Sequence, residues 1–254
     1  MQTKKRKARR KTRSSAGSFW KKLLMMLVIV IIVVFGVTIF FKVEIITVIG
    51  GGHYSDQQVI EASGIQLGDN MTLVDKSGAA SQLRQQLPYV QDIRIRRKLP
   101  GTVELELTLC EPAAVVVSEY GDNWLISAEG KLLEQITPAQ AADYMVITGF
   151  HVLLPTAGET LQADQQEQLD AAMAVINALQ TVTLDPAATS LDVEKLYDVQ
   201  MFCGTRFQVR LGSAEELEYK LRYLQAAVAQ LKPEQEGIID LTFQEEKVAR
   251  FLPW

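Results

Sequence analysis

The stretch VQDIRIRRKLPGTVELELTLC, residues 90–110, consists of two alternating runs of apolar and polar side chains separated by Leu99-Pro100-Gly101. Successive side chains on a strand point to opposite faces, so each run predicts a half-buried β-strand. Proline fixes φ and glycine tolerates positive φ, so the tripeptide predicts a hairpin turn. The basic residues of the first run should face Glu104 and Glu106 of the second on the solvent side, where opposite charges stabilise paired strands by roughly 0.2–1 kcal/mol.

The residues before this hairpin predict one further strand and two helices. Residues 43–49 are rich in β-branched side chains, which favours a strand. Ser55 and Gln58 have the spacing of a capping box, which predicts the start of a short helix. Residues 76–87 fit a second helix. The expected order of this first unit is therefore β-α-α-β-β.

The residues after Glu111-Pro112 predict a second mixed unit of strands and two long helices, so the fold class is α+β. One helix is expected at 163–179, and another begins at a capping box formed by Ser213 and Glu216. Strands are expected at 113–117, 124–127, 131–135, 144–148, 191–193, 199–202, 207–211 and 238–243.

The N-terminal residues predict a single membrane anchor. Residues 1–43 carry eleven Lys and Arg and no acidic residue, whereas the remainder carries 15 basic and all 30 acidic residues. The apolar run at 23–41 is long enough, at 1.5 Å per helical residue, to span about 28 Å of hydrocarbon. Because basic residues stay on the cytoplasmic side, the N-terminus should be cytoplasmic and the acidic bulk should lie outside the cell membrane.

Two other interpretations of this N-terminal region fit less well. A cleaved signal peptide has a shorter apolar region followed by small residues, whereas this run continues into Lys42, Val43 and Glu44. The basic cluster at 4–13 has the charge to bind nucleic acid, but no aromatic residue interleaves it. Attraction to the lipids of the cytoplasmic membrane accounts for it, so no nucleic-acid partner is expected.

The sequence offers no catalytic or metal-binding pattern, so neither an enzyme nor a cofactor is predicted. The two histidines, His53 and His151, lie in no metal-ligand spacing. Glu104 and Glu106 could form a carboxylate pair of the glycosidase kind, but carboxylates on a solvated strand are ordinary. A binding role is the better expectation.

The two cysteines leave two alternatives open. Cys110 and Cys203 could form one disulfide in a compartment outside the cytosol. Each also lies in an apolar, strand-like context, so two separately buried thiols fit equally well.

Several short motifs lie along these segments in a fixed order. They are Pro100-Gly101-Thr102, Glu111-Pro112-Ala113, Trp124-Leu125-Ile126-Ser127, Ile147-Thr148-Gly149, Arg210-Leu211-Gly212-Ser213 and Ile239-Asp240-Leu241. Together with the order of the segments, they resemble the FtsQ/DivIB family of bacterial cell-division proteins. The first unit resembles a POTRA domain and abuts the predicted anchor. The implied domains are a basic cytoplasmic tail at 1–22, a transmembrane helix at 23–41, a POTRA-like domain at 42–111, an FtsQ/DivIB-type β domain at 112–246 and a C-terminal tail at 247–254.

The resemblance implies a non-enzymatic scaffold at the division septum that binds DivIC/FtsB-like and FtsL-like bitopic proteins. It also implies that the terminal strand offers its edge to the partner, by β-augmentation. The residues expected to bind are Ile238, Ile239, Asp240, Leu241, Thr242, Phe243 and Val248. The same strand could instead lie in the interior, with Ile239, Leu241 and Phe243 filling the core.

Two other functions stay open at this point. An anchored extracytoplasmic sensor or envelope-assembly factor could use the POTRA-like module to bind other proteins. An anchored wall hydrolase would need a catalytic constellation that the sequence does not show.

Overall fold

The computed structural model describes residues 16–242 and 250–254. Most of the predicted basic tail lies outside the described residues, as do the predicted partner-binding residues Phe243 and Val248. The first helix, α1, covers Ala16–Phe40 and contains almost all of the predicted apolar span. Taken over the described residues, no helix is both long enough and apolar enough to cross a membrane. The membrane anchor therefore stays a prediction.

The first folded unit has the predicted β-α-α-β-β order. Its elements are β1 Ile45–Ile49, α2 Asp56–Ser63, α3 Lys76–Gln86, β2 Val90–Lys98 and β3 Thr102–Leu109. The three strands form a sheet in the order β1-β3-β2, with β1 parallel and β2 antiparallel to the central strand β3. One face of the sheet and the two helices enclose a core that includes Val59, Leu83, Val103 and Leu105.

Local signals placed the two helices of this unit. The side chain of Ser55 accepts a hydrogen bond from the Gln58 N–H at 3.3 Å, and the Gln58 side chain accepts one from the Ser55 N–H at 2.9 Å, so the predicted capping box is confirmed. Asp75 caps α3 by accepting from the Ser77 N–H at 3.0 Å, and this cap was not predicted.

The charged face of the hairpin is confirmed with one correction. Arg94 lies opposite Glu106 and Arg96 opposite Glu104, and the ion pairs run diagonally, from Arg96 to Glu106 at 3.1 Å and from Lys98 to Glu104. Glu104 is buried, although the alternation predicted it to be solvated. The reason is that β3 is the central strand, so β1 covers one side of Glu104 while Lys98 covers the other.

The second unit is a nine-stranded mixed sheet with helices, so the mixed α+β prediction is confirmed. Its strands are β4 Pro112–Val117, β5 Asn123–Ser127, β6 Leu132–Ile136, β7 Met145–Thr148, β8 Ala188–Asp192, β9 Val199–Cys203, β10 Phe207–Gly212, β11 Gly237–Asp240 and β12 Arg250–Pro253. Its helices are α4 Pro138–Ala141, α5 Gln166–Leu179 and α6 Leu217–Val228. The strand order is β12-β11-β10-β9-β8-β7-β4-β5-β6.

The two faces of this sheet bury different clusters. Ala114 and Val116 of β4 belong to the main core, together with the apolar faces of α5 and α6. Val115 between them belongs to a second cluster with Leu125, Leu133, Tyr89 and Cys110. The alternation along β4 therefore separates a large core under the long helices from a smaller core that reaches the first unit.

The predicted capping box at the start of α6 is wrong. The helix begins at Leu217, and Glu216 before it has a φ of 51° and makes no side-chain capping bond. The buried side chain of Lys220 occupies this end of the helix instead, because its Nζ donates to the carbonyl oxygens of Leu211 at 2.7 Å and Ser213 at 2.8 Å.

Side-chain hydrogen bonds join the two units at a junction formed by Tyr89, Glu134 and Lys131. The Tyr89 hydroxyl donates to Glu134 Oε1 at 2.6 Å, and Lys131 Nζ donates to the Val90 carbonyl at 2.9 Å. The Tyr89 ring stacks on His53 at a centroid distance of 4.1 Å. Burial and the hydrogen bond to Glu134 raise the pKa of Tyr89 far above its usual value of 10.0. The first and second units therefore contact through specific, partly buried groups.

Candidate partner-binding edge of the large sheet

The open edge at the C-terminal end of the large sheet is β12, and not the strand predicted at 238–243. The predicted edge strand at 238–243 is β11, which is shorter and pairs on both sides, parallel with β10 and antiparallel with β12. Residues 247–254 were predicted to be a tail, yet Arg250–Pro253 form a strand. Because β10 and β12 flank it, β11 has no free backbone edge.

Strand β11 forms because one of its faces is apolar and its first residue is small. Ile239 and Leu241 are buried in the main core, whereas Ile238, Asp240 and Thr242 are only half-buried. A Cβ atom at Gly237 would lie 2.3 Å from the Leu252 carbonyl oxygen, so glycine permits the close approach of β12. The structure thus supports the interior-strand alternative for the buried side chains.

Polar contacts fix the end of β11. Arg210 of β10 lies 3.0 Å from Asp198 and 3.9 Å from Asp240. Asp240 Oδ1 accepts from the Thr242 N–H at 3.0 Å and from its hydroxyl at 2.8 Å. Two of the predicted binding residues, Asp240 and Thr242, are therefore engaged with each other and with the neighbouring strand.

The aromatic ring of Phe251 holds strand β12, and two apolar side chains beside it are exposed. The Phe251 ring lies edge-on to Phe207 at a centroid distance of 6.5 Å. Leu252 and Trp254 are 53% and 70% exposed. Leu252 lies opposite the half-buried Ile238, and side chains two residues apart share a face, so these three apolar groups lie on the same side of the sheet.

The register shows which backbone groups of β12 face outward. The Trp254 N–H donates to the Glu236 carbonyl at 3.3 Å, so Trp254 and Glu236 form a hydrogen-bonded pair. Such pairs alternate with non-hydrogen-bonded pairs in antiparallel strands, so Leu252 bonds to β11 whereas Phe251 and Pro253 direct their backbone groups outward.

The hydrogen bonding of β11 agrees with this assignment. Gly237, which lies opposite Pro253, donates its N–H to the Arg206 carbonyl of the preceding segment at 3.0 Å and not to β12. The outer edge of β12 therefore offers the N–H and carbonyl of Phe251 and the carbonyl of Pro253, since proline has no N–H. Within residues 16–242 and 250–254, no strand pairs with this edge.

The opposite edge of the same sheet is protected. At β6, the Leu132 N–H donates to the Glu159 carbonyl at 2.9 Å, and the Leu132 carbonyl accepts from the Gly158 N–H at 2.8 Å. Glu134 of the same strand binds Tyr89 of the first unit. Of the two edges, β12 is therefore the one that can accept another strand.

Elsewhere in residues 16–242 and 250–254, the His, Cys, Asp and Glu side chains do not gather into a metal site. Among the described residues, no three His, Cys, Asp or Glu side chains form a group that could hold a metal ion. His53 stacks on Tyr89, and His151 lies 3.6 Å from Asp164. The Asp164 carboxylate accepts a hydrogen bond from the His151 backbone N–H, which lowers the pKa of Asp164.

Both cysteines are free and buried in separate clusters, Cys110 at the junction and Cys203 in the main core. Of the two alternatives, a disulfide or two separately buried thiols, the structure therefore contains the second. Burial raises the pKa of Cys110, and it raises that of Cys203 to about 12.

The fold is that of a two-domain protein, with a POTRA-type unit followed by a large sheet that has an open terminal strand. Comparison with known families divides the chain into the same two domains. Residues 41–108 match the family described as POTRA domain, FtsQ-type, and residues 114–242 match the family described as Cell division protein FtsQ/DivIB, C-terminal. The chain belongs to the FtsQ/DivIB family of cell-division proteins, so the resemblance seen in the sequence is confirmed.

Individual relatives carry the same names. The chain is 31% identical over 188 residues to the cell division protein FtsQ of Corynebacterium glutamicum, covering 71% of this chain and 77% of that protein. It is 26% identical over 197 residues to the FtsQ of Anaeromyxobacter sp., covering 77% of this chain and 65% of that protein. It is 23% identical over 212 residues to the cell division protein DivIB of Clostridium botulinum strain Hall, covering 81% and 80%.

Proposed function

We propose that this protein is a non-enzymatic, membrane-anchored scaffold of the bacterial division machinery, and that β12 is its docking edge for DivIC/FtsB-like and FtsL-like partners. The observation that carries the docking site is the outward Phe251 and Pro253 backbone beside the exposed Leu252 and Trp254. Backbone pairing supplies affinity in β-augmentation, and side chains flanking the edge supply specificity.

In this proposal, the predicted binding residues of β11 support the docking strand instead of pairing with the partner. The backbone of β11 is already paired, so Ile239, Leu241 and Asp240 position β12 and do not themselves receive the partner. Ile238 contributes its half-buried side chain to the apolar face formed with Leu252 and Trp254.

The membrane topology is part of the same proposal. We infer a single anchor in the cytoplasmic membrane because α1 coincides with the apolar run at 23–41 and because basic residues dominate before Val43 and acidic residues after it. The N-terminus is then cytoplasmic, and both folded units lie outside the cell membrane at the division septum.

The docking edge is tested with side-chain variants that leave the core intact. Leu252→Ala and Trp254→Ala should each weaken co-purification of the full-length protein with a DivIC/FtsB-type partner, by about tenfold for the tryptophan, since buried tryptophans dominate interfaces. Tyr197→Ala is the matched control, because Tyr197 is equally exposed on another part of the second unit. Equal binding by all three variants would contradict β12 as the site.

The division role is tested separately by localisation. A fluorescent protein fused to the N-terminus of the full chain should concentrate at midcell in dividing cells. Uniform fluorescence around the envelope would overturn the division role and leave the sensor or assembly-factor alternative.

A further inference from the structure

Three turns of the POTRA unit expose leucine side chains. Leu67 lies between α2 and α3, Leu73 lies further along the same connection, and Leu99 lies at the tip of the β2–β3 hairpin. They are 67%, 79% and 70% exposed. Turns normally carry small and polar residues, so three exposed leucines at turn positions call for an explanation beyond folding.

Backbone hydrogen bonds bring all three turns to one end of the unit, next to α1. The Met71 N–H donates to the Phe41 carbonyl at 2.9 Å, and the Gly68 N–H donates to the Val43 carbonyl at 2.8 Å. The Gly101 carbonyl accepts from the Glu44 N–H at 2.7 Å. Each leucine is thus within two residues of a group bonded to the segment 41–44, which directly follows the last residue of α1.

The register of the sheet confirms that this end is one surface. β1 and β3 run parallel, and Ile45 pairs with Thr102, so the start of β1 and the hairpin tip lie together. Arg97 beside the tip donates to the Val74 carbonyl at 2.5 Å and so ties the hairpin to the turn that carries Leu73. The junction with the second unit, at Tyr89 and Cys110, is at the opposite end of the strands.

The charges on this surface nearly balance. Lys42 and Arg97 are exposed here, and so are Glu44 and Asp69. The Asp69 carboxylate already accepts from the Gln66 N–H at 2.9 Å. Attraction between headgroups and protein charge is therefore weak, and the apolar side chains must supply the contact.

We propose that Leu67, Leu73 and Leu99 are membrane-inserting tips with which the POTRA unit rests on the lipid bilayer that holds α1. This proposal rests on the anchor proposed above and extends it. The occupant is a phospholipid surface because the turns are continuous with α1, whose exposed apolar side chains run up to Phe40. Leucine side chains partition into the boundary between headgroups and acyl chains, which fixes the tilt of the unit on the membrane.

The test uses the full chain reconstituted in bilayer discs, with an environment-sensitive fluorophore attached to single introduced cysteines. Leu67→Cys, Leu73→Cys and Leu99→Cys report the tips, and Tyr120→Cys, on an exposed turn of the second unit, is the control. Cys110 and Cys203 are buried, and the unsubstituted chain labelled in parallel measures their background. Ile29→Cys in α1 reports the anchor independently.

Nitroxide lipids with the label near the headgroup should quench the tip probes about fivefold more strongly than the control, in neutral and anionic bilayers alike. Tip probes quenched no more than the Tyr120 probe would overturn this inference, while an Ile29 probe quenched by nitroxides placed deep in the acyl chains upholds the anchor, because Ile29 lies within the apolar run. An Ile29 probe that these deep nitroxides do not quench would overturn the anchor itself. Tip quenching that appears only with anionic lipid would overturn the assignment of the contact to the leucines.

Discussion

At the scale of single residues, Lys220 fixes the connection that leads from β10 into α6. Its ammonium group is buried and joins the end of β10 to the start of α6 through the carbonyl oxygens of Leu211 and Ser213. Burial lowers the pKa of Lys220 below its usual value of 10.5 because the charged form is desolvated. The two hydrogen bonds therefore stabilise the connection between β10 and α6, while burial of the lysine favours its neutral form.

Replacing this lysine should give a pH-dependent loss of stability. Lys220→Met leaves two carbonyl oxygens without this donor and should lower the free energy of unfolding by about 1–3 kcal/mol at neutral pH. The unfolded chain binds the proton of Lys220 more tightly than the folded chain, so the stability of the unsubstituted protein rises as pH increases from the folded pKa towards 10.5.

The deficit of Lys220→Met should accordingly grow through this alkaline range, as measured by urea unfolding at several pH values. Arg222→Met is the control on the same helix, because Arg222 is 68% exposed and makes only an i,i+4 contact with Glu218. A deficit that shrinks with rising pH would contradict the stated direction of the pKa shift.

At the scale of the elements, the position of β12 depends on the small size of Gly237. A Cβ atom there would lie 2.3 Å from the Leu252 carbonyl oxygen and 2.9 Å from the Pro253 Cα. Both contacts are with backbone, so no side-chain rotation can relieve them.

Gly237→Ala should therefore detach β12 while the rest of the sheet stays folded. Hydrogen exchange of the Leu252 and Trp254 amides, which donate towards β11, should accelerate by about tenfold or more. Gln208→Ala on β10 is the control, because it removes a half-buried side chain without touching β12. Unchanged exchange at both amides would show that β12 tolerates the added methyl group.

The sequence predicted elements whose signals are local and missed those that depend on distant pairing. The hairpin at 90–110 and the helix after Ser55 follow from turn and capping residues that lie within the segment itself. β12 is only four residues long and ends in proline, and it forms because Phe251 reaches Phe207 more than forty residues earlier.

The candidate site was accordingly predicted at the end of the sheet that carries the open edge, but on β11, which is paired on both sides. Nothing in the sequence of residues 238–240 shows that both of their backbone edges are occupied, because the parallel pairing with β10 and the antiparallel pairing with β12 are tertiary. The exposed Leu252 and Trp254 give the one local signal that could have found β12, as large apolar side chains next to a charged residue.

At the scale of the whole molecule, the junction joins the two units through a small shared core and two hydrogen bonds. Tyr89 contributes to the small core on the outer face of β4 and β5 and also binds Glu134. Lys131 adds a bond to the Val90 carbonyl. These contacts should couple the unfolding of the two units.

Loss of the junction should uncouple unfolding. We expect a single calorimetric transition for both units of the unsubstituted chain, and two transitions for Tyr89→Ala, which removes about 3 kcal/mol of packing and hydrogen bonding. Tyr197→Ala, at an exposed position, should retain the single transition. A single transition in Tyr89→Ala, merely shifted to lower temperature, would show that the remaining contacts suffice for coupling.

The leucine-bearing turns lie at one end of the POTRA strands and the junction with the second unit lies at the other. The length of the strands therefore sets the distance between these two ends. Strand β2 has nine residues, which at about 3.3 Å each span roughly 30 Å. With α1 in the bilayer, a partner rooted in the same bilayer reaches the second unit only through a stalk of comparable length, about 20 residues if helical. If the proposed anchor and docking edge hold, we therefore expect the binding segment of a partner to lie about this far from its own membrane anchor.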